Sequence, residues 1–166
     1  PAIKIHEYDY NPIHSLLGLS IEKSTGGISL YLARVNLENM IFKNNNCAIG
    51  GWSSRISIKN ALLSGNSEVL TYGYSRALLE NVIIIGNKET MKLSEGGRVT
   101  LKNCTIANNQ SSIKLKHQLC AISCHNSILW NNSQYEIVDL EFEPADTLII
   151  GHSCIKNGLG GVSTKP

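Results

Sequence analysis

Apolar and polar residues alternate along this chain within an 11-residue pattern that is repeated seven times. Five copies are clear, and a degraded copy lies at each end of the series. In order, the copies occupy residues 14–24, 35–45, 56–66, 77–87, 99–109, 122–132 and 148–158. Their starts are 21 to 26 residues apart, a period typical of solenoids, in which each repeat buries its apolar face against its neighbours.

Two columns of the pattern are apolar in all seven copies and predict side chains stacked inside the coil. The third position holds Leu16, Leu37, Ile58, Leu79, Leu101, Cys124 and Ile150. The eighth position holds Ile21, Phe42, Leu63, Ile84, Ile106, Leu129 and Ile155. The first position is apolar in six copies and the second is mostly polar, which is the two-residue period of a β-strand.

The fifth position is asparagine in five consecutive copies. These residues are Asn39, Asn60, Asn81, Asn103 and Asn126. Asparagine tolerates the backbone angles of a bend, and stacked carboxamides can bond to one another from turn to turn of the coil. Each copy is therefore predicted to be a strand, an asparagine bend and a second strand, with the asparagines in a ladder.

A third strand fits in the remainder of each turn, at residues 68–71, 90–93, 112–115 and 136–140. Because no segment carries a helical apolar stripe, the pattern predicts an all-β fold, a parallel β-helix of about seven rungs. Crossovers between parallel strands are right-handed, so the helix should be too. We expect one domain over residues 1–166, with a lead-in strand at 1–13, repeats at 14–158 and a tail at 159–166.

Two segments resemble known proteins. Residues 18–45 (GLSIEKSTGGISLYLARVNLENMIFKNN) resemble the opening rungs of large secreted bacterial β-helix proteins, and 126–132 (NSILWNN) with 152–161 (HSCIKNGLGG) resemble how such helices finish. The repeats are similar to those of the pectate-lyase-like superfamily. That resemblance implies a secreted or cell-surface bacterial protein. It does not select a function, because the superfamily includes lyases, hydrolases, tailspikes and adhesins.

Composition adds few constraints. The net charge is +2, no basic run indicates nucleic-acid binding, and no apolar stretch is long enough to span a membrane. The chain opens on Pro1 without a signal peptide, so we expect a mature protein or a segment of a longer one. Unpaired strand edges at the two ends of a β-helix predict covering by residues 1–12 and 159–166, further domains, or end-to-end association.

The five cysteines do not indicate a compartment. Cys120 and Cys124 are too far apart on extended chain for a disulfide, and an odd number leaves one thiol unpaired in a monomer. A cluster of His117, Cys120, Cys124 and His125 resembles a metal site in composition. Adjacent residues of a strand point to opposite faces, however, so Cys124 and His125 cannot easily share an ion. We therefore predict no metal and no cofactor.

One arginine precedes the pattern in each of four successive copies. These are Arg34, Arg55, Arg76 and Arg98, and the strand period places them on the outer surface. At the fourth position Glu38, Lys59, Glu80 and Lys102 alternate in sign. The arginines either bond turn carbonyls at the start of each strand or form a row of guanidinium forks for carboxylates or sulfates.

Aromatic residues near this column favour the ligand-binding interpretation. Tyr31 and Trp52 each lie three residues before an arginine, and Tyr72 and Tyr74 flank the equivalent place in the next rung. Flat rings on an exposed surface are common platforms for sugars, although they are also ordinary packing residues. The candidate ligand-binding residues are thus the four arginines with these four aromatics, and the candidate ligand is an acidic polysaccharide.

Catalytic residues are harder to identify. Glu38 and Glu80 share a column two rungs apart, a separation of about 10 Å that suits an inverting glycosidase, but the alternating charges explain them without chemistry. Arg76, with Tyr74 and Arg98, is the best candidate for a lyase site, without a calcium cluster beside it. We therefore assign no catalytic residue.

Three hypotheses remain. The first is a non-catalytic secreted or surface domain that binds acidic polysaccharide along the arginine and aromatic face. The second is a polysaccharide lyase or a fragment of one, and the third is a structural adhesin or stalk segment without a ligand.

Overall fold

The computed structural model of the chain describes residues 2–7, 12–140 and 146–164. These residues form short strands and one 3₁₀ turn, Gly158–Gly161. In chain order the strands are β1 (Ile3–His6), β2 (Ile13–Leu17), β3 (Ser20–Glu22), β4 (Ile28–Tyr31), β5 (Arg34–Glu38), β6 (Ile41–Lys43), β7 (Cys47–Trp52), β8 (Arg55–Ser64), β9 (Glu68–Gly73), β10 (Arg76–Ile85), β11 (Glu89–Ser94), β12 (Arg98–Lys102), β13 (Thr105–Ala107), β14 (Ile113–Lys116), β15 (Ala121–His125), β16 (Ile128–Trp130), β17 (Ile137–Asp139), β18 (Thr147–Gly151), β19 (Cys154–Ile155) and β20 (Val162–Thr164).

All of these strands pair in parallel with the equivalent strand of the next rung, which gives the predicted right-handed parallel β-helix. One sheet has the order β1-β4-β7-β9-β11-β14-β17-β20 and forms one wall of the coil. The second sheet contains twelve strands in two rows, which are joined because β8 and β10 run through the asparagine bend without a break. The two rows are the other two walls.

The core confirms the predicted register. Leu79 and Ile84, at the third and eighth positions of the central copy, have no exposed surface. The columns are buried from rung to rung, except at the ends, where Leu16, Ile150 and Ile155 are half-buried. These three have a neighbouring rung on one side only among the described residues, so their outer side stays open.

The third strand of each rung lies where the sequence predicted it, within one or two residues. β9, β11, β14 and β17 correspond to the predicted segments, and β4 and β7 add the same strand in earlier rungs. β1 and β20 extend this wall at its two ends by pairing with β4 and β17. The segment predicted as a tail therefore contains a strand, because Val162–Thr164 continues the register of Ile137–Asp139. Parts of the predicted lead-in and tail, residues 1, 8–11, 165 and 166, lie outside the described residues.

A buried asparagine ladder at or next to the end of the five clear pattern copies was not predicted. Asn45, Asn66, Asn87, Asn109 and Asn131 are at most 2% exposed. Each Nδ2 donates to the Oδ1 of the next, at 2.7–3.0 Å, and the last donates to Glu136 Oε2 at 2.7 Å. The carboxylate of Glu136 thus ends the ladder, and backbone carbonyls of preceding rungs accept further bonds from the amides.

The asparagine ladder predicted at the fifth position is confirmed for Asn60, Asn81, Asn103 and Asn126 and lies on the surface. Asn81 Nδ2 donates to Asn60 Oδ1 at 3.2 Å, Asn103 to Asn81 at 3.3 Å and Asn126 to Asn103 at 2.7 Å. All four residues have positive φ angles of 51–55°, so they make the bend between two walls. Exposed to solvent, this outer ladder competes with water and should contribute less than the buried one.

Candidate functional site

The four arginines form one straight column. Strand pairing places Arg34 beside Arg55, Arg55 beside Arg76 and Arg76 beside Arg98, in consecutive rungs about 4.8 Å apart. Each is the first residue of its strand, directly after a corner of the coil. The side chains of Arg55, Arg76 and Arg98 are exposed, and that of Arg34 is half-buried.

The corner before each arginine has an unusual backbone that fixes where the side chain emerges. Leu32, Ser53, Tyr74 and Glu95 have φ angles of 48–55°, in the left-handed region that non-glycine residues seldom adopt. Sheet bonds link successive corners, for example from Ser53 N to Gly73 O at 3.0 Å. The corner side chains therefore stack from rung to rung as the strands do.

A buried serine pair stabilises the same corner. Ser54 Oγ accepts from Ala33 N at 3.2 Å, and Ser75 Oγ accepts from Ser54 N at 2.9 Å. Each hydroxyl in turn donates to the carbonyl two residues earlier, Trp52 O or Gly73 O, at 2.9 Å. Both hydroxyls therefore accept one hydrogen bond and donate another, which fixes the backbone just before Arg55 and Arg76.

The positive charges of the arginine column are not paired with carboxylates among the described residues. Among the described residues, the ion pairs are His14 with Glu7, Lys59 with Glu80 and Lys114 with Glu89, and none includes an arginine of the column. The Nε of Arg34 is buried and has no hydrogen-bond partner there. Four like charges at rung spacing repel one another and attract anions.

An open depression of about 330 Å³ lies over this column. It is lined by Arg34, Ser53, Ser54, Arg55, Tyr74 and Arg76. Three arginines, two serines and one tyrosine line it, so the depression offers hydrogen-bond donors and an aromatic ring together. This combination suits an anionic group on a ring-shaped molecule.

One of the predicted aromatics, Tyr74, lines the depression, and a second, Trp52, contacts the Tyr74 ring. Trp52 and Tyr74 are 41% and 60% exposed, and their rings meet edge to face with centroids 5.2 Å apart. The ring of Trp52 lies over Gly73, where an added Cβ would come within 2.4 Å of it. Glycine at this position leaves room for the indole of the preceding rung.

The other two predicted aromatics lie elsewhere. Tyr31, 42% exposed, meets the ring of His6 edge to face at 4.7 Å, one rung before Trp52 in the same row. Tyr72 is only 1% exposed and belongs to the core, so its prediction as a ligand-binding residue is wrong. Its strand alternates, Thr71 facing out and Tyr72 facing in, and Gly51 of the preceding rung makes room for the ring.

A second recess of about 530 Å³ follows at the same corner, in rungs that are one or two residues longer. It is lined by Tyr74, Glu95, Gly96, Arg98, His117, Gln118 and Leu119. A hydrogen bond to Glu95 and the charge of that carboxylate raise the pKa of Tyr74. The sequence interpretation missed the recess, although the change of period from 21 to 23 residues marks where its extra residues are inserted.

The cysteine and histidine cluster does not converge on one point. Cys124 is buried and bonds Ser153 Oγ at 3.5 Å, whereas His125 faces outward and bonds Ser123 Oγ at 2.8 Å. Across the described residues, no group of three or more His, Cys, Asp or Glu side chains could hold a metal ion. All five cysteines are free, and burial raises the pKa of Cys104, Cys120 and Cys124.

The glutamates considered for hydrolysis are separated by a cation. Lys59 lies between Glu38 and Glu80 in the register, and its Nζ is 3.0 Å from Glu80 Oε2. Lys59 and Glu80 thus form a surface ion pair, which accounts for these charges without a catalytic role.

A family model described as right-handed beta helix region matches residues 10–161, nearly the whole chain. The chain belongs to the right-handed β-helix family. A search of curated proteins found no match. In the described part of the chain, no helix has the length and apolar character that crossing a membrane requires.

Proposed function

We propose that this β-helix is a non-catalytic domain that binds an acidic polysaccharide along its arginine column. The observation that supports the proposal most strongly is the run of four guanidinium groups in register, with no carboxylate partner among the described residues. A fold selected for stability alone has no reason to stack like charges in adjacent rungs. A polymer that carries an anion on successive sugars would relieve the repulsion along the whole column.

The aromatic rings supply the second element of the proposal. Tyr74 lines the depression together with Arg34, Arg55 and Arg76, and the ring of Trp52 packs against Tyr74. Carboxylates or sulfates would bond the guanidinium forks while sugar faces contact the rings. A secreted or cell-surface location is part of this proposal, because acidic polysaccharides are found mainly at and beyond the cell surface.

The decisive experiment is titration calorimetry with oligogalacturonate and with a sulfated oligosaccharide, using a neutral dextran oligosaccharide as reference. We expect Arg55→Ala/Arg76→Ala to weaken binding by about tenfold or more, because each exposed contact contributes about 1 kcal/mol. Raising the salt concentration should weaken binding by the parent chain, since exposed charges are screened within about 8–10 Å.

Three further variants separate the contributions of charge, guanidinium geometry and aromatic stacking to binding. Lys88→Ala/Lys92→Ala removes the same two charges from exposed positions away from the column and should change affinity little. Arg55→Lys/Arg76→Lys keeps the charge but removes the planar fork, so it tests bidentate recognition. Trp52→Ala should weaken binding with little dependence on salt, because stacking does not depend on net charge.

Two outcomes would reject the proposal. If the arginine double mutant binds as well as the parent, the column is not the site. If the parent chain binds neither acidic oligosaccharide, the structural adhesin or stalk hypothesis is favoured. The lyase hypothesis has its own readout, new ultraviolet absorbance from unsaturated product. At neutral pH Tyr74 is not a ready base for that reaction, because Glu95 raises its pKa.

A further inference from the structure

A second surface of the coil carries apolar side chains where a solvent-facing wall would carry polar ones. It is the outer face of the row β3, β6, the second half of β8, the second half of β10, β13, β16 and β19, which we call the apolar face. Its first column reads Ser20, Ile41, Leu62, Ile83, Thr105, Ile128 and Cys154. Its second column reads Glu22, Lys43, Ser64, Ile85, Ala107, Trp130 and Lys156.

The exposure of these side chains is substantial. Ile41, Ile83 and Ile128 are 40%, 47% and 45% exposed, and Trp130 is 51% exposed. Between Lys43 and Lys156 the two columns contain no charged residue over four rungs. An uncharged and largely apolar strip of this length is a candidate surface for association with a partner.

We propose that the apolar face joins two copies of this chain, face to face, with their long axes antiparallel. The side chains of the strip recur at the rung spacing of about 4.8 Å, and a sheet with the same spacing matches that repeat. Packed sheets lie about 10 Å apart with strands nearly aligned, which is the geometry that two such faces would adopt.

The sequence of the strip is complementary to itself in this arrangement. A two-fold axis along the strand at Ile83 brings the first rung of one copy opposite the seventh rung of the other. Lys43 then faces the exposed ring of Trp130, and a cation over an indole is favourable. Glu22 faces the rung that carries Lys156, whose Nζ donates to Asn131 O of its own chain at 2.8 Å and still places a positive charge opposite the carboxylate.

The parallel arrangement is less favourable. It would place Lys43 of each copy against Ile41 of the other, so that two ammonium groups would lose water without a partner. The antiparallel arrangement gives both lysines an aromatic face. It leaves Ile83 opposite its own equivalent at the centre of the interface, with Ile41 and Ile128 two rungs to either side.

The size of the strip sets the expected affinity. Seven rungs about 4.8 Å apart and strands of about three residues give an area on the order of 300–400 Å² per copy. Standard stable interfaces bury about 800 Å² per partner, so we expect a weak dimer that dissociates at micromolar concentration. The arginine column lies on another wall, so this proposal is independent of glycan binding.

Sedimentation equilibrium from about 5 µM to about 1 mM tests the interface. We expect the parent chain to pass from monomer to dimer in this range, and Ile83→Lys to weaken dimerisation by about tenfold or more, since it buries an unpaired charge at the centre. Ile149→Lys is the matched control, because Ile149 is 51% exposed on a different row, and it should dimerise as the parent does. Circular dichroism of each variant checks that the coil is intact.

A distance measurement tests the orientation. A nitroxide on Ser20→Cys, with Cys47 and Cys154 changed to serine because they are the two cysteines that are not buried, reports the separation of the first rungs. The antiparallel dimer places the two Cα atoms about 30 Å apart, and a parallel one would place them within about 15 Å. A monomer at all concentrations, an unchanged dimer in Ile83→Lys, or the short distance would each overturn the proposal.

Discussion

At the scale of single residues, one position decides whether an aromatic ring belongs to the core or to the candidate site. Tyr72 and Tyr74 are two residues apart, and the sequence suggested that both lie at the surface. Tyr72 falls on the inward side of β9, whereas Tyr74 sits at a left-handed corner and projects outward. The alternation of Leu70, Thr71 and Tyr72 in the sequence already indicates that Leu70 and Tyr72 share a face. The sequence alone did not show which face of the third strand points inward.

Tyr72 carries a buried hydroxyl without a hydrogen-bond partner among the described residues. We predict that Tyr72→Phe stabilises the protein by about 1 kcal/mol at pH 7, because it removes an unsatisfied polar group and changes the ring little. Urea unfolding followed by circular dichroism measures this. Tyr74→Phe, at an exposed position, should change stability little, and a less stable Tyr72→Phe variant would show that the hydroxyl has a partner.

The same residue predicts a dependence on pH. Burial raises the pKa of Tyr72 well above its ordinary value of 10.0, and Cys47 adds to the effect. The folded state therefore holds the neutral phenol, whereas the unfolded chain ionises Tyr72 from about pH 10. Ionisation favours the unfolded state, so the free energy of unfolding falls as the pH rises through this range. Tyr72→Phe should lose less stability than the parent between pH 9 and about 11.

At the scale of elements, the sequence predicted the strands well and the polar ladders only in part. Spacing alone identified the outer ladder at Asn60, Asn81 and Asn103. The inner ladder uses an asparagine that closes each clear copy except the last, where Asn131 replaces the expected Asn132. An alternating pattern does not show that this side chain turns inward, because the residue before it, such as Gly65 or Gly86, has a positive φ that reverses the alternation.

The two ladders should differ in their contribution to stability. Asn87 accepts from Asn66 N at 2.8 Å and donates to Leu63 O and Asn109 Oδ1 at 2.9 Å, all inside the coil. We predict that Asn87→Ala costs about 3 kcal/mol or more, because it leaves several buried groups unpaired.

Asn81→Ala on the outer ladder serves as the matched control. It should cost about 1 kcal/mol, since water replaces its bonds and the loss reflects mainly the left-handed backbone. Urea unfolding of both variants gives the comparison. Equal losses in the free energy of unfolding would indicate that the backbone bend, rather than burial, determines how much these asparagines contribute to stability.

At the scale of the whole molecule, the coil presents walls of different chemistry on a common frame. The arginine column could be predicted because outward positions follow from the strand period. The recess at Tyr74, Glu95 and Arg98 could not, because its shape depends on how two longer rungs fold at one corner. The apolar face could not be predicted either, because its residues form one column only when the register of the paired strands is known.

The solenoid also predicts how the molecule opens. Each rung contacts its immediate neighbours, so stability is close to a sum of rung and interface contributions, and the ends should fray first. We expect hydrogen exchange to be slowest in β8 and β10, which are paired on both sides, and fastest in β1, β18 and β20, each with one partner among the described strands. Native-state exchange followed by mass spectrometry of peptides measures the gradient. Uniform protection from end to end would instead show that the buried asparagine ladder couples all rungs into one cooperative unit, and Asn87→Ala should then break that unit near the middle.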